Sequence, residues 1–404
     1  MTSAMQLDLD SLDVSDPAIY RDDSWRPLFA RLRAEAPVHF CAHGRDGPFW
    51  SITRHADIAR VEADAATFSS AHEYGGVALE HRPTQSLIQS DQPDHTAKRL
   101  PIMPAVSPRN LALMQDLIRE RTARVLDGLP RGETFDWAAS VSTELTSMML
   151  ATLFGLPIEE RAQLFRWSNI ISADLDDPDS EVHTEAERHA AITDFFRYML
   201  RLAKARRDTP AGFDIISVIM RSEVYCTASA FELTSLLSVL LVGGNDTTRN
   251  SMSGAILGFH RYPDQWAKLR GDRSLIPNAV AEILRHHTPI LYQRRTATRD
   301  VELGGRTIAR GDKLALWYVS ANRDEAVFED AEALRVDRPN ARSHLAFGAG
   351  PHRCVGAKVA ELQLRIYLEE LLQRDLKVEV MGAPAWAYNN MAHSVTALPA
   401  RLVG

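Results

Sequence analysis

The segment from Phe231 to His260 is the strongest constraint on what this chain can fold into. It is apolar on nearly every face, so as a helix it has no side to turn toward water and must run through the middle of the protein. A bilayer is no alternative, because the unbroken apolar stretch, Leu233 to Val242, is too short to span one and runs into Asn245, Asp246 and Arg249. At its centre the segment carries Gly243, Gly244, Asn245, Asp246, Thr247 and Thr248. Adjacent glycines disfavour a helix interior by roughly 1 kcal/mol each, and Asn, Asp and Thr are indifferent helix formers. Two accounts fit this interruption. The glycines admit a close helix crossing while the polar side chains bond to neighbouring backbone, or the turn is widened to face a ligand.

A buried helix needs other helices around it, and the sequence supplies them. Met114, Leu117, Ile118, Thr122 and Val125 share one helical face, stopped by Gly128 and Pro130. Strand signals are short: Phe49 to Thr53, then Val301 to Leu303 and Thr307 to Ala309 around a Gly304-Gly305 turn, with Lys313 to Val319 a further strand or the start of a buried helix. Arg207 to Phe213 and Gly271 to Pro277 read as loops. The expected fold is mainly α with minor β sheets, in one domain over residues 1–404 behind an acidic lead-in of about residues 1–20.

A composition of 45% hydrophobic and 25% charged residues suits a large globular core. The net charge of −7 disfavours non-specific nucleic-acid binding. The N-terminus, with Asp8, Asp10, Asp13 and Asp16, has neither the basic start nor the apolar run of a signal peptide, so a cytoplasmic protein that is not integral to a membrane is expected. Cys41, Cys226 and Cys354 lie far apart without a C-x-x-C pair, against a disulfide framework or a tetrahedral zinc site.

One cysteine has a special neighbourhood. Phe347-Gly348-Ala349-Gly350-Pro351-His352-Arg353-Cys354-Val355-Gly356 precedes a helical pattern of Val359, Leu362, Leu364 and Leu368. A thiol at a helix N-terminus beside Arg353 is expected to have a lowered pKa, since backbone N–H groups and positive charge favour the thiolate. The pattern F-G-x-G-x-H-x-C-x-G resembles the haem-binding loop of the cytochromes P-450. That resemblance implies a haem-thiolate fold, haem b (iron protoporphyrin IX) as cofactor with Cys354 as axial ligand, and Phe347 and Gly348 against the haem. It also implies a buried network of Glu282, Arg285 and Arg338, propionate contacts from His95, Arg99, Arg295 and His352, and Asp246 and Thr247 as the acid and alcohol that relay protons over the iron.

The same resemblance implies an O2-dependent monooxygenase whose electrons come from NAD(P)H through partner proteins. The chain has no nucleotide-binding glycine fingerprint and no cysteine set for an iron-sulfur cluster. A ferredoxin and its reductase are the expected partners, with Arg109 and Arg353 as basic contacts. Arg119 to Trp137, Val242 to Ser251, Trp317 to Glu325 and His352 to Gly356 resemble the bacterial P-450 family that hydroxylates medium-chain alkanes at the terminal carbon. A small apolar substrate is therefore expected, between Tyr74, Val77, Leu79, Val239, Leu240, Gly243, Ile290, Leu291, Gln293, Met391 and Ala392. Gln293 stands where an apolar side chain is expected, and Ala71 to His81 carries His72, Glu73, Tyr74 and Glu80, so a fatty acid, an alcohol or a terpene is a second possibility. The rivals are a non-catalytic haem-binding gas sensor, a peroxide-driven enzyme, and a helical binding protein with an inert cysteine.

Overall fold

The computed structural model describes residues 8–80, 84–207 and 212–403. The central helix runs unbroken from Ala230 to Arg261, a length of about 48 Å at 1.5 Å per residue. Its start is fixed by a capping box: the Ser229 side chain accepts from the Glu232 backbone N–H, and the Glu232 side chain accepts from that of Ser229. Leu233, Leu236, Leu237 and Leu241 are buried in its first half, Met252, Ala255 and Ile256 in its second. Around it pack the helices Glu144–Phe154, Arg161–Ser172, Ile276–His287 and Ala357–Gln373. The last of these also packs along Pro108–Asp127, the helix of the Met114-to-Val125 pattern.

The sheets are small. Val38–Cys41 and Phe49–Ile52 form an antiparallel pair, Phe49–Ile52 runs parallel to Lys313–Trp317, and Lys313–Trp317 pairs antiparallel with Tyr292–Ala297, which ends against Phe68–Ser69. The Gly304-Gly305 hairpin forms as expected, between Val301–Leu303 and Arg306–Ile308. The two options for Lys313 to Val319 are realised in succession, a strand to Trp317 and then a helical turn over Tyr318–Ala321.

Two expectations change. Gly271 to Pro277 is not a loop: a 3-10 turn at Arg273–Leu275 leads straight into the helix Ile276–His287, where Pro277 sits in the first turn and its missing N–H has no partner to lose. Within the acidic lead-in, Leu12, Val14 and Tyr20 are buried against Trp25, Phe29 and Trp317, so its apolar residues join the core. Residues 1–7 of the lead-in, 208–211 of the Arg207 to Phe213 segment, and 81–83 lie outside the described residues.

Candidate active site

The cysteine loop is built on glycine geometry. Gly348 and Gly350 have φ of 65° and 60°, and a Cβ on Gly350 would lie 2.2 Å from the carbonyl oxygen of Glu62. The Cys354 N–H donates to Phe347 O at 2.8 Å, which closes the loop just ahead of the helix Ala357–Gln373. Arg353 lies over the Phe347 ring at 5.8 Å. Cys354 is open to solvent although protein surrounds it. It stands on the floor of a cleft of about 460 Å³ bordered by Arg99, Leu100, Met103, Val355 and Lys358. The expected lowering of its pKa is overturned: burial pushes the thiol up by more than the Gly356 and Ala357 N–H groups, Arg99 and Arg353 pull it down.

Behind the loop lies a closed ion network. Glu282 takes Arg285 at 2.7 and 2.8 Å, Arg338 at 3.0 Å on both oxygens, and the backbone N–H of Arg335 at 2.8 Å. Arg285 spends its other donors on the carbonyls of Asn322, Ala331 and Ala333, and Arg338 on those of Glu329, Asp330 and Ala333. All three side chains are at most 1% exposed. The network reaches the cysteine loop through Asn322, whose side-chain oxygen accepts from Leu345 N–H at 2.7 Å.

On the other side of the loop the chemistry is incomplete. The rings of His95 and His352 lie 4.1 Å apart, and His95 Nε2 and His352 Nδ1 are buried without a hydrogen-bond partner. His352 is pushed down to about 2, first by burial and then by Arg295, His95 and Arg99, which converge on it. Arg295 is anchored by Arg294 O at 2.8 Å and by Glu62 at 3.4 Å. Cationic and donor groups from three segments meet here with unbonded polar atoms, an arrangement that calls for an anion.

The central helix has an open stretch of its own. Gly243 is exposed in mid-helix and a Cβ there meets nothing within 4 Å, whereas one on Gly244 would lie 2.7 Å from Leu150 Cδ2. One glycine opens a space and its neighbour closes a packing contact. No widened turn forms: the Thr247 hydroxyl donates to Gly243 O at 2.9 Å inside a continuous helix. Asp246 is buried, paired with Arg249 at 3.1 Å and accepting from Ser172 Oγ at 3.2 Å. The acid and the alcohol are adjacent in sequence, but no hydrogen bond joins them among the described residues.

A cysteine at a helix start, an open stretch of helix and an anion-seeking cluster at the rim fit an iron porphyrin with two carboxylates. The cytochrome P450 family model matches residues 39–386. This chain belongs to the cytochrome P450 family. Two solved P450 structures superpose closely. CYP153D17 from Sphingomonas sp. PAMC 26605 is 44% identical over 98% of this chain and 100% of that one, with a TM-score of 0.92. Cytochrome P450-153 from Novosphingobium aromaticivorans is 43% identical over 97% and 99%, with a TM-score of 0.90. The likeness to one bacterial P-450 group read from the sequence is matched by these two structures of the 153 group. Linalool 8-monooxygenase from Pseudomonas putida is 37% identical over 91% of this chain and 93% of its own. This P450 is a monooxygenase of bacterial type. Among the described residues no helix is long and apolar enough to cross a membrane.

The expected substrate-facing residues divide. Val239, Leu240 and Gly243 on the central helix, Ile290, Gln293, Met391 and Ala392 keep some exposure, and Ile290 bridges Ala392. Leu79 and Leu291, 1% and 0% exposed, do not line an open space. They are packed in the cluster that also holds Trp25, Phe29, Tyr292 and Trp317. Tyr74 faces outward, and Val77 is buried beside Arg294, whose N–H donates to Val77 O.

Two residues were missed in the sequence. Arg294 reaches the carbonyls of Tyr74, Gly75 and Ala78 at 2.6, 3.2 and 3.3 Å, while its neighbour Arg295 faces the opposite side, as alternation along the strand Tyr292–Ala297 requires. Glu62 contacts Arg295, Tyr318 and Ala349. Its signal was present: Ile58 and Glu62 are four residues apart on one helical face, which puts a carboxylate on an apolar stripe.

Proposed function

We propose that this P450 hydroxylates the terminal carbon of a medium-length apolar chain, an alkane or a fatty acid. The observation that carries this reading is the open wall of Val239, Leu240 and Gly243 on the central helix, in a chain 44% identical to a member of the 153 group. Haem, when bound, supplies O2 activation and insertion of one oxygen atom into a C–H bond. The chain supplies the rest: Cys354 gives iron its thiolate, His95, Arg99, Arg295 and His352 hold the propionates, and the Glu282-Arg285-Arg338 network keeps the cysteine loop in place. Thr247 releases Gly243 O to donate inward, and Asp246 hands it protons after turning from Arg249. Electrons from NAD(P)H arrive through a ferredoxin reductase and a ferredoxin, which docks in the cytoplasm against the cleft edge of Arg99, Arg353 and Lys358, with exposed Leu100 and Met103 between and exposed Arg109 next in sequence to the cleft residue Pro108.

A second reading is a branched terpene alcohol as substrate. It is supported by the partly exposed Gln293, a polar group in an otherwise apolar wall, and by the relatives named linalool 8-monooxygenase and methyl-branched lipid omega-hydroxylase from Mycobacterium tuberculosis H37Rv, the latter 31% identical. Reconstitution with ferredoxin and reductase, followed by product identification from octane, dodecanoic acid, linalool and limonene, separates the two. Oxidation only at ring or internal positions sinks the terminal assignment. Thr247→Ala is expected to keep haem and divert NADH to peroxide, and unchanged coupling sinks the relay. Cys354→Ser is expected to lose the strongly red-shifted Soret band of the reduced, CO-bound protein. A gas sensor would show that band yet consume no NADH with any substrate.

A further inference from the structure

Glu62 takes no part in the chemistry just outlined, yet it is 3% exposed and gathers donors from three separate segments. One oxygen accepts from the Tyr318 hydroxyl at 2.5 Å and pairs with Arg295 Nη2 at 3.4 Å, and the other accepts from the backbone N–H of Ala349 at 2.5 Å. The Gly350 Cα lies so near the Glu62 carbonyl that no side chain fits between them. A buried carboxylate is retained against several kcal/mol of desolvation only where donors surround it. Burial pushes the Glu62 carboxyl up, and Arg295, Tyr318 and the Ala349 N–H pull it back down; every contact is a donor, and none needs a proton from Glu62.

The placement links both halves of the haem site. Ala349 lies in the limb of the cysteine loop between the two left-handed glycines. Arg295 is held at one end by Arg294 O and at the other by Glu62, so its remaining N–H groups are confined in direction. Arg295 also adds to the field that converges on His352.

We propose that Glu62 is a positioning residue for the haem of this P450: it aims Arg295 at the propionate edge, fixes the Gly348–Gly350 limb, and places a negative charge that makes the iron harder to reduce. A charge beside a cofactor in a medium of low dielectric disfavours added negative charge on it. The inference rests on the haem-thiolate reading of Cys354.

The test compares haem-loaded wild type, Glu62→Gln, Glu62→Ala and Glu62→Asp. Glu62→Gln keeps the size and one acceptor but removes the charge. Its midpoint potential is expected to rise, and its haem is expected to pass to apomyoglobin on the order of tenfold faster, since a charge-assisted contact to Arg295 is lost. Glu62→Ala is expected to show the same rise in potential with still faster haem loss, and Glu62→Asp to recover the wild-type potential. A merely structural brace predicts instead that the urea midpoint falls while the potential stays unchanged; that result overturns the proposal, as does a Glu62→Gln protein equal to wild type in both haem measurements. Failure of the thiolate reading is separable, because the wild type itself would then lack the red-shifted Soret band.

Discussion

The two sides of the cysteine loop are built on opposite terms. Behind it, Glu282, Arg285 and Arg338 satisfy one another and six backbone groups without a bare atom on the carboxylate. Beside it, His95 and His352 keep unbonded ring nitrogens next to two arginines. A protein that completes a buried network with its own atoms has made a structural member. One that leaves buried donors bare has left them for something else. At the cysteine loop the bare nitrogens count because they meet two arginines there, which a closed network behind the loop does not offer.

The largest break in this contrast comes from the closed side. Glu282→Ala leaves two guanidiniums buried with no counter-charge and is expected to destabilise the protein by about 3–5 kcal/mol, read in urea unfolding with or without haem. A loss below about 1 kcal/mol would mean that the network is not closed. On the open side the effect moves to the cofactor. His95→Ala is expected to change the unfolding midpoint of the haem-free protein little, while haem loss quickens on the order of tenfold. A fall in midpoint like that of Glu282→Ala would erase the distinction.

Acid sharpens it next. His393, stacked on Trp386 at 4.2 Å, is pushed down to about 3 by burial and by Arg26, and His287 is lowered by burial and by His393. Both are neutral in the folded protein, whereas the unfolded chain takes up protons below about 6.5. The stabilisation from neutral His393 is therefore full above pH 6.5 and falls as the pH drops toward 3, by about 1.4 kcal/mol per pH unit, and His287 adds in the same direction. Urea midpoints at pH 7, 6 and 5 test this, and His393→Gln should flatten the slope. The smallest effect separates the paired glycines. Gly243→Ala is expected to raise stability by up to about 1 kcal/mol, since its Cβ enters open space in a helix, whereas Gly244→Ala is expected to lower it by pressing on Leu150. Equal responses would mean that the helix has no open face at Gly243.

Much of this is legible in the sequence. The central helix announced itself by being apolar on every face, and the cysteine loop by glycines that only a tight turn needs. Glu282 and Arg285 share a helical face by spacing alone. What remained hidden were contacts set by tertiary approach. The surrounding protein that raises the Cys354 thiol has no sequence signature, and the filling of space around Leu79 and Leu291 depends on Trp25 and Trp317, remote in the chain. Arg294 and Arg295 read alike in sequence, yet strand pleating sends them to opposite faces.

That pleating also bears on how the substrate range of such an enzyme can diversify. Three of the contacts by which Arg294 fastens the loop beyond Ser70 are to the carbonyls of Tyr74, Gly75 and Ala78, which every amino acid possesses. The fastening is therefore indifferent to most side chains of the loop, apart from Gly75, where a Cβ would meet the guanidinium at 2.3 Å. Tyr74, Ala78 and exposed Glu73 can therefore change while the strand keeps its hold, whereas Gly75, Val77 and Leu79 are fixed by close approach or by burial.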